Sequence, residues 1–242
     1  MPLSPFNSNP GQQPVYQVGL TEILLLLFAL GLFITTKIYH VDFTLADAIY
    51  TRFKWHYQKA FITEQLLHRY SRFLVILIYL GLLYKLATRF LAGNDPKGVY
   101  HLFILLLAIA LSVIIVAVLK QFFEVDCPWD LLRYGGSKPY FSLFNYDPKH
   151  MPSAHCFPAS HAGVGFSWMA LFFYCKVTAK PLSSKIRPFM VLVLVILVGV
   201  VFGVAQQFRG AHFISHDVAS FIVCLITTIC VYSLAYRQKK SA

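Results

Sequence analysis

Three short stretches hold most of the residues in this 242-residue chain that could do chemistry. The first starts at Lys120 and runs through Asp126, Cys127, Pro128 and Trp129 to Asp130. The second is Cys156-Phe157-Pro158-Ala159-Ser160-His161, and the third runs from Gln206 through Arg209, Gly210, His212 and Ser215 to His216 and Asp217. Lysine and arginine are the side chains that hold phosphate oxygens. A histidine beside a carboxylate suits an oriented base or nucleophile, and a second histidine can protonate a leaving group. Each residue alone has a plainer reading: Lys120 as a helix-end lysine whose stem snorkels, His161 as an interfacial histidine. Taken together they point to phosphate chemistry. Ser160 and His161 fall where a helix is expected to begin, and the free N–H groups of a helix start favour an anion. His155, Cys156, His161, His212, His216 and Cys127 are also metal-ligand types. None forms a short zinc-type pair such as C-x-x-C or H-E-x-x-H, so neither a metal nor another cofactor is expected.

The elements that must position these residues are membrane helices. The chain is 57% hydrophobic and 13% charged, with a mean hydropathy of +0.62, against about 25% charged residues in a soluble domain. That excludes a soluble enzyme, a disordered chain and a disulfide-stapled secreted module. Apolar runs near the length needed to cross a bilayer predict an all-α, polytopic integral membrane protein with six spans. They run from about Val18 to Thr36, Phe73 to Ala92, His101 to Leu119, Ala162 to Cys175 (short, and extended back through His161), Phe189 to Phe208, and Val218 to Tyr236. Tyr39 to Arg72 mixes Trp55, Tyr57, Phe61, Leu66 and Leu67 with Arg52, Lys54, Lys59 and Arg69, which predicts amphipathic helix in the interface. Residues 1–17 form a polar tail, 18–236 a single membrane domain, and 237–242 a basic tail. A cleavable signal peptide needs a basic n-region and a small-residue cleavage site, and neither is present in convincing form. The first apolar run is therefore expected to stay as an anchor.

The connection from Lys120 to Ser160 carries Arg133, Lys138, Asp147, Lys149, His150 and His155 among many aromatics. A loop of that length is usually functional or disordered, and its aromatic content argues for function. The formal net charge of +11 reads as loop charge meeting anionic headgroups; no nucleic-acid reader motif accompanies it. A channel or proton relay would place ionisable residues mid-helix, whereas here they sit at helix ends. With six spans, all three chemical stretches fall on one membrane face. A cytoplasmic N-terminus leaves ten basic residues inside and eleven outside, or eight outside once Lys120, Arg133 and Arg209 are set aside as site residues. The short Lys176–Arg187 connection and the C-terminal tail hold seven basic and no acidic residues, which favours both termini inside.

The order and spacing of the three stretches resemble the type-2 phosphatidic acid phosphatase superfamily of membrane lipid phosphatases. Its pattern is Lys, six residues, Arg-Pro; then Pro-Ser-Gly-His; then Ser-Arg, five residues, His, three residues, Asp. The resemblance covers about residues 100–236. Lys120, six residues and Cys127-Pro128 match the first motif with Cys in place of Arg, and Arg133 is the expected source of the missing guanidinium. Pro158-Ala159-Ser160-His161 matches the second with Ala for Ser and Ser for Gly, so Ser160 is expected to take over the hydroxyl contact. Gly210-Ala211-His212-Phe213 looks like the run around the family's nucleophile. Asp217 then lies five residues on rather than four, and Gln206 holds the usual arginine position, with Arg209 its nearby substitute. The other register makes His216 the nucleophile, but Asp217 would then be its immediate neighbour, and adjacent helical residues do not face each other. His212 is favoured, with His216 structural or in contact with substrate.

The resemblance implies a metal-independent lipid phosphatase working through a phosphohistidine. His212 would be the nucleophile, Asp217 would orient it as in a serine protease triad, and His161 would be the general acid. Lys120, Arg209 and Arg133 would stabilise the phosphoryl oxygens. It also implies a bacterial inner-membrane location with the site facing the periplasm. In that oxidising compartment Cys127 and Cys156 could join as a disulfide; the alternative is two free thiols. The substrate would be a membrane lipid phosphate: an undecaprenyl diphosphate, a lipid A phosphate, phosphatidic acid or phosphatidylglycerol phosphate. The basic interfacial segment and the Trp129–Lys149 loop are expected to meet its headgroup, favouring a large anionic lipid. The alternatives are a lipid phosphotransferase, or a non-catalytic lipid-phosphate binding or transport protein on the same scaffold.

Overall fold

The computed structural model describes residues 15–141, 155–178 and 186–237. It is all-helical, with no strand among the described residues. Eight α-helices follow in order: α1 Leu20–Ile38, α2 Val41–Phe53, α3 Ser71–Ala92, α4 Pro96–Phe122, α5 Ser160–Phe166, α6 Ala170–Thr178, α7 Ile186–Phe208 and α8 Ile214–Ala235. Among the described residues, five helices are long and apolar enough to cross a membrane: α1; the continuous helix from Phe61 to Ala92 that contains α3; α4; α7; and α8.

Local chemistry sets the helix ends. Asp95 caps α4 by accepting from the Gly98 N–H at 2.9 Å, with Pro96 in the first turn, where its missing N–H costs nothing. Gly93 ends α3 with φ +68°, the left-handed cap glycine favours. At the start of α1 the buried Glu22 carboxylate accepts from the Gly19 N–H at 3.1 Å and the Tyr16 hydroxyl at 3.2 Å, and it is ion-paired with Lys176. That pairing keeps a fully buried carboxylate tolerable.

Helix α8 is the hub, packing against α1, α4, α5 and α7. The predicted fourth span is not one helix but α5, a 3-10 turn at Ser167–Met169, and α6. Its small residues let backbones close up. A Cβ on Gly165 would stand 2.7 Å from the Gly199 Cα of α7, and one on Gly163 would stand 3.2 Å from Val116 of α4. Side chains then bond across the gap: Ser220 Oγ of α8 donates to the Ala159 carbonyl at 2.8 Å, and the Tyr232 hydroxyl donates to the Ala170 carbonyl at 3.1 Å. Helices in lipid gain association energy from such close packing and hydrogen bonds. By contrast, α3 carries no buried residue and exposes Leu74, Leu77, Leu80 and Phe90, the composition of a face turned to lipid.

The amphipathic stretch expected in the interface is α2, a 3-10 turn at His56–Lys59, and a π-helical segment, Phe61–Tyr70, that runs directly into α3. Phe61, Ile62, Leu66 and Tyr70 are exposed along that segment.

Gly165→Ala is expected to destabilise the protein by roughly 1–3 kcal/mol, because the new methyl meets backbone rather than a movable side chain. Gly31→Ala, with nothing within 4 Å of the added carbon, should be neutral or slightly stabilising. Thermal unfolding of both variants in detergent checks the pair; equal melting temperatures would contradict this packing.

Candidate active site

Backbone hydrogen bonds knit the three chemical stretches together at one end of the bundle. The Cys156 N–H donates to the Val125 carbonyl at 2.8 Å, the Ala159 N–H to the His216 carbonyl at 3.1 Å, and the Trp129 N–H to the Gly210 carbonyl at 2.9 Å. Cys127 and Cys156 are joined as a disulfide, which fastens the first stretch to the second. The turn from Arg209 to Phe213 is shaped at Gly210, whose φ is +75°. A Cβ there would stand 2.7 Å from the Trp55 ring, so a residue with φ > 0 and no side chain is needed twice over. Trp55 itself packs on Tyr50 and Tyr134 and closes the outside of the turn.

Four of the predicted groups gather within this frame. His212, in the turn, and His216, in the first turn of α8, have ring centroids 5.8 Å apart. Both are buried, and His216 lies edge-on between Phe157 and Phe213. Burial holds the His212 pKa well below the ordinary imidazole value. His216, Lys120 and His161 push it further down, and the Cys156 backbone carbonyl opposes them. His212 is therefore neutral. Lys120, in the last turn of α4, and His161, on α5, are near enough to add to that downward shift. His161 Nε2 donates to the Leu67 carbonyl at 2.6 Å, and its ring stacks on Phe202 at 4.7 Å. Ser160 is the first residue of α5, beside His161.

Asp217 is placed differently from the expected triad. Its Oδ2 accepts from Gln207 Nε2 at 2.7 Å. Among the described residues, its Oδ1 and the Nδ1 atoms of His212 and His216 are buried with no hydrogen-bond partner. Room for the carboxylate comes from Gly203, where a Cβ would stand 2.6 Å from Oδ2.

Arg209 is buried but already engaged. Its Nε donates to the Gln58 carbonyl at 3.0 Å, its Nη1 to Gln206 Oε1 at 2.8 Å, and its Nη2 is ion-paired with Glu64. Desolvation lowers its pKa, and Glu64 opposes that shift. Arg133 does not supply the missing guanidinium to this cluster. It is largely exposed, grips Asp47 of α2 with Nε on Oδ1 at 2.7 Å, and lies over the Phe43 ring at 5.1 Å. A carboxylate on α2 takes its Nε–Nη2 edge.

Sequence reasoning missed a whole layer of partners. Asp42 accepts from the Ser215 N–H at 2.9 Å, from Ser215 Oγ at 2.7 Å and from Lys37 at 2.8 Å, pinning the start of α8 to α1 and α2. Glu64 and the Gln58 and Leu67 carbonyls are likewise supplied from outside the motifs. Only the mixed charge of the 39–72 stretch hinted at them, and nothing in its spacing named a partner. Asp147, Lys149 and His150 lie outside the described residues. No group of three or more His, Cys, Asp or Glu residues among the described ones could hold a metal ion.

Residues 101–240, which contain all three stretches, match the family model of the PAP2 superfamily. The chain belongs to the PAP2 superfamily. No curated protein and no solved structure matches it. Superfamily membership supports phosphatase-type activity on phosphate esters, and the apolar helices support a multi-pass membrane protein.

Closing a loop of this length with a disulfide contributes roughly 2–4 kcal/mol. Cys127→Ser should therefore lower the melting temperature of oxidised protein and leave that of reduced protein nearly unchanged. Alkylation before and after reduction gives the direct count, with two of the five cysteines reacting only after reduction.

Proposed function

We propose that this protein is a membrane lipid phosphatase that hydrolyses a phosphate monoester or diphosphate of a lipid through a phosphohistidine, without a metal. The observation that carries the reading is His212: a buried imidazole in the turn of the family-matched region, its ring centroid 5.8 Å from that of His216, with burial holding its pKa down and His216, Lys120 and His161 adding to that shift. A neutral ring nitrogen is a nucleophile, whereas an imidazolium is not. The His212 nitrogen attacks phosphorus as the phosphorus–oxygen bond to the lipid breaks. His161, protonated once the phosphate dianion is bound beside it, gives that proton to the departing oxygen, and water then releases inorganic phosphate. Lys120, Ser160 and Arg209 neutralise the phosphoryl oxygens; Asp217 and Gln207 hold the start of α8 beneath the histidines. His216 is shut between two rings, which favours a structural role for it and His212 as nucleophile.

Six spans, counting α5 and α6 as a broken one, would leave both termini on one side; the basic Lys176–Arg187 connection and C-terminal tail support reading that side as cytoplasmic, with the site on the periplasmic face of a bacterial inner membrane. The chain supplies no motif for the acyl or prenyl tail, and the four lipid classes named above share the reacting group. Transfer of the phosphoryl group to a second lipid would use the same residues and differ by excluding water.

Phosphate release from a panel of lipid phosphates in detergent should survive EDTA. It should fall by at least 1000-fold in His212→Ala, and less in His216→Ala. Loss of activity with EDTA, or full activity in His212→Ala, would overturn the mechanism. The pH dependence has a definite sign. Because the His212 pKa is depressed, the neutral nucleophile persists below the ordinary imidazole value of 6.5. The acid limb of kcat/KM due to His212 is accordingly expected below pH 6.5, and activity is lost only as pH falls through that lower midpoint.

A further inference from the structure

Beside the histidine cluster, on the far side of Arg209, is a cleft of about 320 Å³ lined by Gln58, Lys59, Glu64, Gln65, Arg69, Trp129 and Arg209. Five of these seven belong to the interfacial segment and lie before the 101–240 region that carries the family match. The volume falls in the range of small-ligand sites. Its floor is a charge arrangement with a clear sense: the Glu64 carboxylate bridges two guanidiniums, paired through Oε2 with Arg209 and through Oε1 with Arg69 Nε at 3.0 Å. A planar anion held between two arginines is the geometry that phosphate or carboxylate ligands adopt. Lys59 adds a third cation, so the lining carries three positive side chains against one negative. Gln58 and Gln65 add amide groups, and Trp129 an aromatic wall.

We infer that this cleft is a second anion subsite, in which Arg69 and Lys59 act with Arg209 to bind a further anionic group of the substrate headgroup, and that Glu64 occupies its place in the unliganded chain. This rests on the phosphatase reading and deepens it, since Arg209 borders both the cleft and the reacting cluster. A lipid whose headgroup carries one negative group beyond the reacting phosphate meets both. That group is a second phosphate or a carboxylate, and the preferred substrate class is a lipid with a doubly anionic headgroup. Exposed Phe61, Ile62, Leu66 and Tyr70 on the same segment put the cleft at the depth where headgroups lie. The cleft is too small to take the tail.

Binding separates this subsite from catalysis. Full-length His212→Ala protein in detergent is titrated calorimetrically with methylenebisphosphonate and, separately, with inorganic phosphate and with succinate. Methylenebisphosphonate, which offers two linked phosphoryl groups, is expected to bind at least tenfold more tightly than inorganic phosphate. Succinate binding as well as methylenebisphosphonate would assign the second group as a carboxylate; failure of succinate alone would assign it as a phosphate. Arg69→Gln and Lys59→Gln, both at accessible positions, should each weaken methylenebisphosphonate about tenfold, and Glu64→Gln should tighten it. Unchanged affinity in all three variants, with thermal unfolding showing them folded, overturns the proposal. In the protein with His212 intact, the ratio of kcat/KM for a lipid diphosphate over the matching monophosphate should fall about tenfold in Arg69→Gln. Binding that responds to the variants in a protein that hydrolyses no lipid phosphate would keep the subsite and sink the phosphatase reading. Hydrolysis with a ratio indifferent to Arg69 and Lys59 would do the reverse.

Discussion

The Ala159 N–H donates to the His216 carbonyl, and much of the site hangs on that bond. It joins the residue just before α5 to the first turn of α8, and so sets His161 relative to His212 and His216. Ser220 Oγ reinforces it by donating to both carbonyls, Ala159 at 2.8 Å and His216 at 3.0 Å. A helix start leaves N–H groups without partners, and here the N–H just before α5 finds its acceptor in the first turn of α8. The bonds from Cys156 to Val125 and from Trp129 to Gly210, with the Cys127–Cys156 disulfide, bring the remaining stretch to the same place. The close packing of α5 on α7 and α4, paid for with glycines at 163, 165 and 199, lets these ends meet.

Charge at a membrane face imposes the second constraint. A buried cation or carboxylate without a partner is costly, and this site contains several. Arg209 is matched by Glu64 and two acceptors, and Asp42 by Lys37 and Ser215. The pairs recruit the first third of the chain, which the family match does not reach, into the site. In particular the stretch from Gln58 to Leu67 touches both Arg209 and His161. The segment expected in the interface is thereby coupled to the groups proposed to react. Displacing Glu64 and Leu67 would free a guanidinium edge and a ring N–H together.

The histidine cluster shows the opposite balance. Among the described residues, Nδ1 of His212, Nδ1 of His216 and Oδ1 of Asp217 are buried without partners. A fully satisfied network would be more stable but less reactive, since unpaired polar groups are held ready for a ligand that completes them. Gln207 takes one oxygen of Asp217 and leaves the other without a partner among the described residues.

Several features were legible from the residues alone. Long apolar runs can satisfy their backbone in lipid only as helices, so the all-helical membrane fold follows from composition, and the start of α8 and the helix end at Lys120 follow from where the polar residues cluster. The span count likewise predicted that the three stretches share one side, and backbone hydrogen bonds join them at one end of the bundle. The partners were another matter. Arg133 looked available because it is near Cys127 in sequence, yet Asp47, more than eighty positions away, holds it. Glu64 and Asp42 could not be named, because an ion pair between distant segments leaves no periodicity or spacing behind. The fourth span read as one helix because its residues are apolar, and it broke because glycine and serine let backbones approach in ways composition does not encode. Local pattern and hydropathy are one-dimensional and so were determined by the sequence itself. Which cation meets which carboxylate depends on how α2, the interfacial segment and α8 come together in three dimensions, and only the tertiary structure decided that.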